Sequence, residues 1–168
     1  GMMLGMTQYT PDEQRYGSTR TQLSARLAYA MGGRAAEEIV FNEISTGAFG
    51  DIKQATHIAH SMVCEYGMSD KLGLRTYGKL DRQVFLGRDI MKERNYSEET
   101  AHQIDEEVTR IIEGAYQKAE KILQQHQDKL TILANALLER ETLDGEEVNQ
   151  LVDGTGPLPA LTAALHPA

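Results

Sequence analysis

Apolar residues recur at intervals of three and four over most of this chain, and the intervals divide it into a series of amphipathic helices. Ser18 or Thr19 caps the first, in which Leu23, Leu27, Ala30 and Met31 share a face; after Gly32-Gly33 the period resumes with Ala36, Ile39 and Val40. A glycine inside a helix costs about 1 kcal/mol relative to alanine. The pair therefore marks either a break or a close approach by another element, and the resumed period favours close approach. The second helix starts at Asp51 and carries Ile52, Ala55, Ala59, Met62 and Tyr66, with Gly67 as its stop. Ser97, followed by Glu98 and Glu99, opens the longest helix, whose stripe is Ile104, Val108, Ile111, Ala115, Ala119 and Ile122. A fourth, with Leu130, Leu133, Ala134, Leu137 and Leu138, is expected to fold back on it as a helical hairpin. Asp144 and Glu147 make a capping box for a last helix with Val148, Leu151 and Val152.

Strand signals are weak. Met3 to Tyr9 reads as a short strand running into Thr10-Pro11-Asp12, and Leu74–Tyr77 with Gln83–Leu86 as a small hairpin. Gly154 to Ala168, with Pro157, Pro159 and Pro167, reads as a loose tail. The fold class is therefore mainly α, with a long C-terminal helical hairpin and a small β element.

The densest local signal is Ser45-Thr46-Gly47-Ala48-Phe49-Gly50-Asp51, a glycine-rich turn that delivers one aspartate into a helix start. At about 100° per residue, Asp51 lies close to the edge of the apolar wedge of its helix, so its carboxylate is aimed inward. Two readings remain open from spacing alone: a cap in the helix dipole, or a metal ligand whose partners come from elsewhere in the fold. On the opposite side of the wheel His57, His60 and Cys64 cluster, a pattern that fits either a solvated face or three ligands of a soft metal.

Composition narrows the setting. The chain has 168 residues, 40% of them hydrophobic, with no Trp and three Phe, enough for one domain packed on small and aliphatic side chains. A net charge of −8 with no basic stripe argues against a nucleic-acid partner. The lone Cys64 makes no internal disulfide, which favours a reducing compartment. No apolar run approaches the length of a membrane span, so this piece is expected to be soluble.

Several separated motifs then resemble, in order, the peptidase domain of FtsH-type ATP-dependent zinc metalloproteases. They are Gly32-Gly33-Arg34-Ala35-Ala36-Glu37-Glu38, Ser45-Thr46-Gly47-Ala48 with Asp51, and Glu65-Tyr66-Gly67-Met68-Ser69-Asp70-Lys71-Leu72-Gly73. Val84-Phe85-Leu86-Gly87-Arg88-Asp89, Tyr96-Ser97-Glu98-Glu99-Thr100-Ala101 and Leu138-Glu139-Arg140-Glu141-Thr142-Leu143-Asp144-Gly145 continue the series. The resemblance runs from about Met2 to Val152. It implies a helical peptidase-domain bundle over residues 1–152, followed by a flexible tail over 153–168. It also implies that Asp51 is the third zinc ligand, in an active-site turn of Thr46, Gly47, Ala48 and Gly50. Gly50 stands where Asn is common in the family.

The family's His-Glu-x-x-His helix, which supplies two zinc ligands and the glutamate base, is not among these residues: His57, His60, His102, His126 and His166 form no such pair. Nor is there a phosphate loop. The resemblance implies the C-terminal part of a peptidase whose zinc, polarising a carbonyl and lowering its water's pKa toward about 7, needs histidines outside this sequence. ATP and Mg2+ would act in an absent ATPase module. The implied partners are protein substrates and further copies in a homo-hexamer, and the implied location is membrane-associated, with this domain on the cytoplasmic or organelle-matrix side. By itself the chain is expected to be inactive. The other reading is a non-catalytic helical interaction module that docks on a protease hexamer or self-associates.

Overall fold

The structure is a computed structural model that describes residues 17–78, 95–157 and 159. Its described elements are α1 (Arg20–Phe41), α2 (Phe49–Cys64), α3 (Glu98–Gln125), α4 (Gln127–Arg140) and α5 (Gly145–Asp153). The first three pack mutually, while α4 touches α3 and packs more extensively on α5.

Local chemistry fixes most of the helix starts. Thr19 and Gln22 close a capping box on α1, with Thr19 Oγ1 accepting from the Gln22 amide at 3.2 Å and Gln22 Oε1 accepting from the Thr19 amide at 2.9 Å. Ser97 accepts from the Thr100 amide to start α3, and Asp144 and Glu147 form the box that starts α5. α1 runs unbroken through Gly32-Gly33, so the glycines do not interrupt it.

The main core joins Leu23, Leu27, Ala30, Met31 and Ala35 of α1 to Ala55, Ala59 and Met62 of α2 and Ala115 and Ala119 of α3. Alanine dominates the contact, and small side chains let helix axes approach closely. Of the stripe expected on α2, the middle is buried but Ile52 and Tyr66 are exposed, and Tyr66 lies past the helix end. The last turn of α2 is instead enclosed on a second side. Val63, Cys64 and Ile104 form a separate cluster covered by Leu72, Tyr77 and Tyr96. Tyr77 donates its amide to the Cys64 carbonyl at 2.9 Å and its hydroxyl to the Leu72 carbonyl at 2.9 Å, and its ring meets Tyr96 edge-on at 5.8 Å. Cys64 is consequently 1% exposed rather than on a solvated face.

Ion pairs hold the segment after α2 onto the bundle. Arg20 grips Asp70 with two parallel bonds of 3.0 and 2.9 Å, and Lys71 reaches Glu106 at 2.6 Å. Each pair is self-reinforcing, since the hydrogen bond from the cation holds the Asp70 and Glu106 carboxyls below their ordinary range. On α3, buried Glu107 pairs with Arg110. Glu38 of α1 accepts from the Tyr116 hydroxyl at 2.5 Å, tying α1 to α3 and, with burial, pushing that phenol up to about 12.

Two expectations need correction. Leu74–Tyr77 is irregular rather than a strand, because Tyr77 uses its amide on the end of α2; the companion run Gln83–Leu86 and the expected strand Met3–Tyr9 lie outside the described residues, as does most of the expected tail. On α4 the buried positions are Asn135 and Ala136, while Leu137 and Leu138 are exposed, so the side that α4 buries is not the one the leucine spacing suggested.

This separates two leucines that periodicity treats alike. Leu27→Ala, in the main core, should cost about 2–5 kcal/mol in urea unfolding. Leu138→Ala, at 74% exposure, should stay within about 0.5 kcal/mol of the parent.

Candidate functional site

The connection between α1 and α2 is built around one carboxylate of α1. Glu37 Oε1 accepts from the Ser45 hydroxyl at 2.6 Å and Oε2 from the Ser45 amide at 3.3 Å, while Ser45 Oγ accepts from the Gly47 amide at 3.0 Å. The Ser45 hydroxyl, then its amide, and the charge of Arg34 hold the Glu37 carboxyl below the usual glutamate range. The turn closes with the Phe49 amide donating to the Thr46 carbonyl at 3.1 Å, and α2 begins with the Ile52 amide donating to the Ala48 carbonyl at 3.0 Å. Ala48 is buried and supplies no side-chain cap.

This arrangement places Asp51 in the first turn of α2, exposed, one turn before the residues that enter the core. A Cβ added to Gly33 of α1 would lie 4.0 Å from Asp51 Oδ2. That is ordinary contact, and Gly32 has nothing within 4 Å of such a Cβ, so the close approach expected at the glycine pair is not found: both positions have room for a Cβ. Gly47 is tighter, since its added Cβ would meet Ser45 Oγ at 3.1 Å and Glu37 Oε1 at 3.3 Å. Gly50 faces open space, with nothing within 4 Å of an added Cβ. Thr46, Gly47, Ala48 and Gly50 precede Asp51 on the way into α2, and their surroundings differ: a Cβ at Gly47 would crowd two side-chain oxygens, while Ala48 is buried.

The His57, His60 and Cys64 alternative does not assemble. His60 Nε2 lies 3.6 Å from Cys64 Sγ, but Cys64 is buried in the second cluster, where burial pushes its thiol up, and both histidines are exposed. Among the described residues no group of three His, Cys, Asp or Glu side chains is placed to hold a metal ion. Asp51 is one donor, and one donor does not make a zinc site. Zinc is therefore not a fit to these residues alone.

Glu37 stands in the sequence only as part of the Gly32–Glu38 motif. A glutamate followed eight residues later by Ser-Thr-Gly is the only signal the sequence carries, and its meaning depends on the turn folding back over α1.

The profile of peptidase family M41 matches residues 1–151. The chain belongs to peptidase family M41. It is 50% identical over 161 residues to ATP-dependent zinc metalloprotease FtsH 1 of Thermomicrobium roseum, a match that covers 96% of this chain and 25% of that protein. The FtsH 1 of Sphaerobacter thermophilus matches to the same extent, at 50% identity over 161 residues. The ATP-dependent zinc metalloprotease FtsH of Caldicellulosiruptor bescii is 52% identical over 148 residues, covering 88% of this chain and 24% of its own length. The chain thus spans about a quarter of the length of these M41 relatives.

The geometry separates the glycines of the M41 turn. Gly47→Ala should destabilise the chain and speed amide exchange at Ser45, because its methyl group meets two anchored oxygens. Gly50→Ala should be neutral or stabilise by up to about 1 kcal/mol, since it removes a helical glycine into open space. Thermal melts of the two variants make the comparison.

Proposed function

We propose that this chain is the C-terminal portion of the proteolytic domain of an ATP-dependent zinc metalloendopeptidase, and that Asp51 is the zinc ligand it contributes. The observation that carries the reading is the exposed carboxylate of Asp51 in the first turn of α2, held beside a glycine of α1 by a turn that is itself tied down. A capping aspartate would spend its oxygen on an amide of its own helix start; α2 has Ala48 at its cap and no side-chain cap bond, which leaves the Asp51 carboxylate available for another partner. M41 membership and the names of the relatives support zinc and peptide hydrolysis as the metal and the reaction class.

On this reading the remaining donors and the glutamate base come from polypeptide outside these residues. Exposed Val40, Phe41, Ile44, Phe49 and Ile52 flank the turn on its two helix ends, an apolar border suited to being covered by that polypeptide. The substrates are membrane and soluble proteins, ATP and Mg2+ belong to a separate ATPase module, and the assembly is a membrane-anchored homo-hexamer with this domain on the cytoplasmic or organelle-matrix side. None of the described helices is long and apolar enough to cross a membrane, so an anchor would lie elsewhere.

In the longer polypeptide, Asp51→Ala should lower peptidase activity more than about a hundred-fold, since loss of a metal ligand exceeds the effect of losing an outer-shell partner. ATP hydrolysis should remain largely intact. Proteolysis retained at normal zinc occupancy would remove Asp51 from the site.

A further inference from the structure

We propose that Glu37 is the positioning residue for Asp51, acting as a latch between α1 and the turn rather than as a metal ligand itself. The inference rests on the reading of Asp51 as the zinc ligand. Four observations support it. First, α2 has no side-chain cap of its own, so the direction in which its first turn projects is set by the segment before it. Second, among the described residues the side-chain bonds from that segment to another element all end on Glu37: the Ser45 hydroxyl at 2.6 Å and the Ser45 amide at 3.3 Å. Third, Ser45 passes the constraint on, because its oxygen accepts the Gly47 amide at 3.0 Å while the carboxylate lies against Gly47, 3.3 Å from where a Cβ would be. Fourth, the face of α1 that carries the latch also carries the near wall of the site. Glu37 is four residues beyond Gly33, one helical turn along, and a Cβ at Gly33 would lie in ordinary contact with Asp51 Oδ2, at 4.0 Å.

Both Glu37 oxygens are therefore occupied by Ser45, a charged acceptor serving two donors of one residue, which is the stronger class of hydrogen bond. The latch sits in α1, the helix most deeply engaged with α3, and Asp51 sits at the free end of α2. Glu37 thus transmits the rigidity of the bundle to the one donor that lies outside it. Carboxylate chemistry is suited to this, since an alanine leaves the Ser45 amide and hydroxyl to water, whereas a glutamine keeps one acceptor oxygen at the same reach.

Two measurements test it. In this chain, amide hydrogen exchange is read by NMR at Ser45 and Gly47, with Leu27 and Ala115 amides as controls. Glu37→Ala should speed exchange at Ser45 and Gly47 by about tenfold or more and leave the controls unchanged, and Glu37→Gln should recover most of the protection. Unchanged exchange in Glu37→Ala overturns the latch. In the longer polypeptide, zinc affinity is read by competition with a chelator. Glu37→Ala should weaken it by about 10–100-fold, the range for partners outside the metal's own shell, and Glu37→Gln should restore it to within a few-fold. If Glu37→Gln protects the turn yet loses zinc as fully as Glu37→Ala, Glu37 is itself a ligand and the proposal is overturned. Zinc affinity that survives Asp51→Ala overturns the metal reading of Asp51 and this role with it, and the exchange rates then judge the turn separately.

Discussion

The close packing of α1, α2 and α3 on alanines is the constraint from which the rest of the structure follows. Ala35, Ala55, Ala59, Ala115 and Ala119 line the contact, and the larger Leu27 and Met62 fill the space between them. A core of this kind gains little area per residue but brings helix backbones together. That packing sets Gly33 of α1 opposite the start of α2, where a Cβ at Gly33 would lie in ordinary contact, 4.0 Å from Asp51 Oδ2. It also brings Glu38 within 2.5 Å of the Tyr116 hydroxyl.

Around this bundle the chemistry is arranged at one end. α1 provides Gly33 and Glu37, the turn provides Ser45 and Gly47, and α2 provides Asp51. None of these is deeply buried, and Glu37, Ser45 and Gly47 are joined by hydrogen bonds. Rigidity at the surface comes here from hydrogen bonds in series rather than from enclosure. This M41 chain, covering a quarter of its relatives' length, carries exposed apolar residues on both sides of this turn, with the Asp51 carboxylate between them.

How much of this the sequence reveals depends on how local each cause is. Thr19, Ser97 and Asp144 are identifiable as caps because a cap is decided by residues within one turn, and the structure uses all three. The core faces of α1 and α3 are legible from period alone, and the order of the M41 motifs gives the family. Cys64 is misplaced by the helical wheel because its burial comes from Leu72, Tyr77 and Tyr96, which reach it from other parts of the chain. Leu137 and Leu138 mislead for the reverse reason: the spacing is right for a seam, but the residues that α4 buries are Asn135 and Ala136. Buried Glu107 inside the α3 stripe, paired with Arg110, is invisible to any rule that scores charge as exposure. The Glu37 latch is illegible for a related reason, since its two halves lie on either side of a turn whose closure no pattern specifies.

The central claim is that this chain supplies one donor, Asp51, to a metal centre completed by residues outside it. Zinc titration of the 168-residue chain by calorimetry, alongside Asp51→Ala and Cys64→Ser, tests it most directly. The account predicts no tight binding to any of the three. Stoichiometric, tight binding that survives Asp51→Ala but is lost with Cys64→Ser would contradict it, moving the metal to the His57, His60 and Cys64 side of α2.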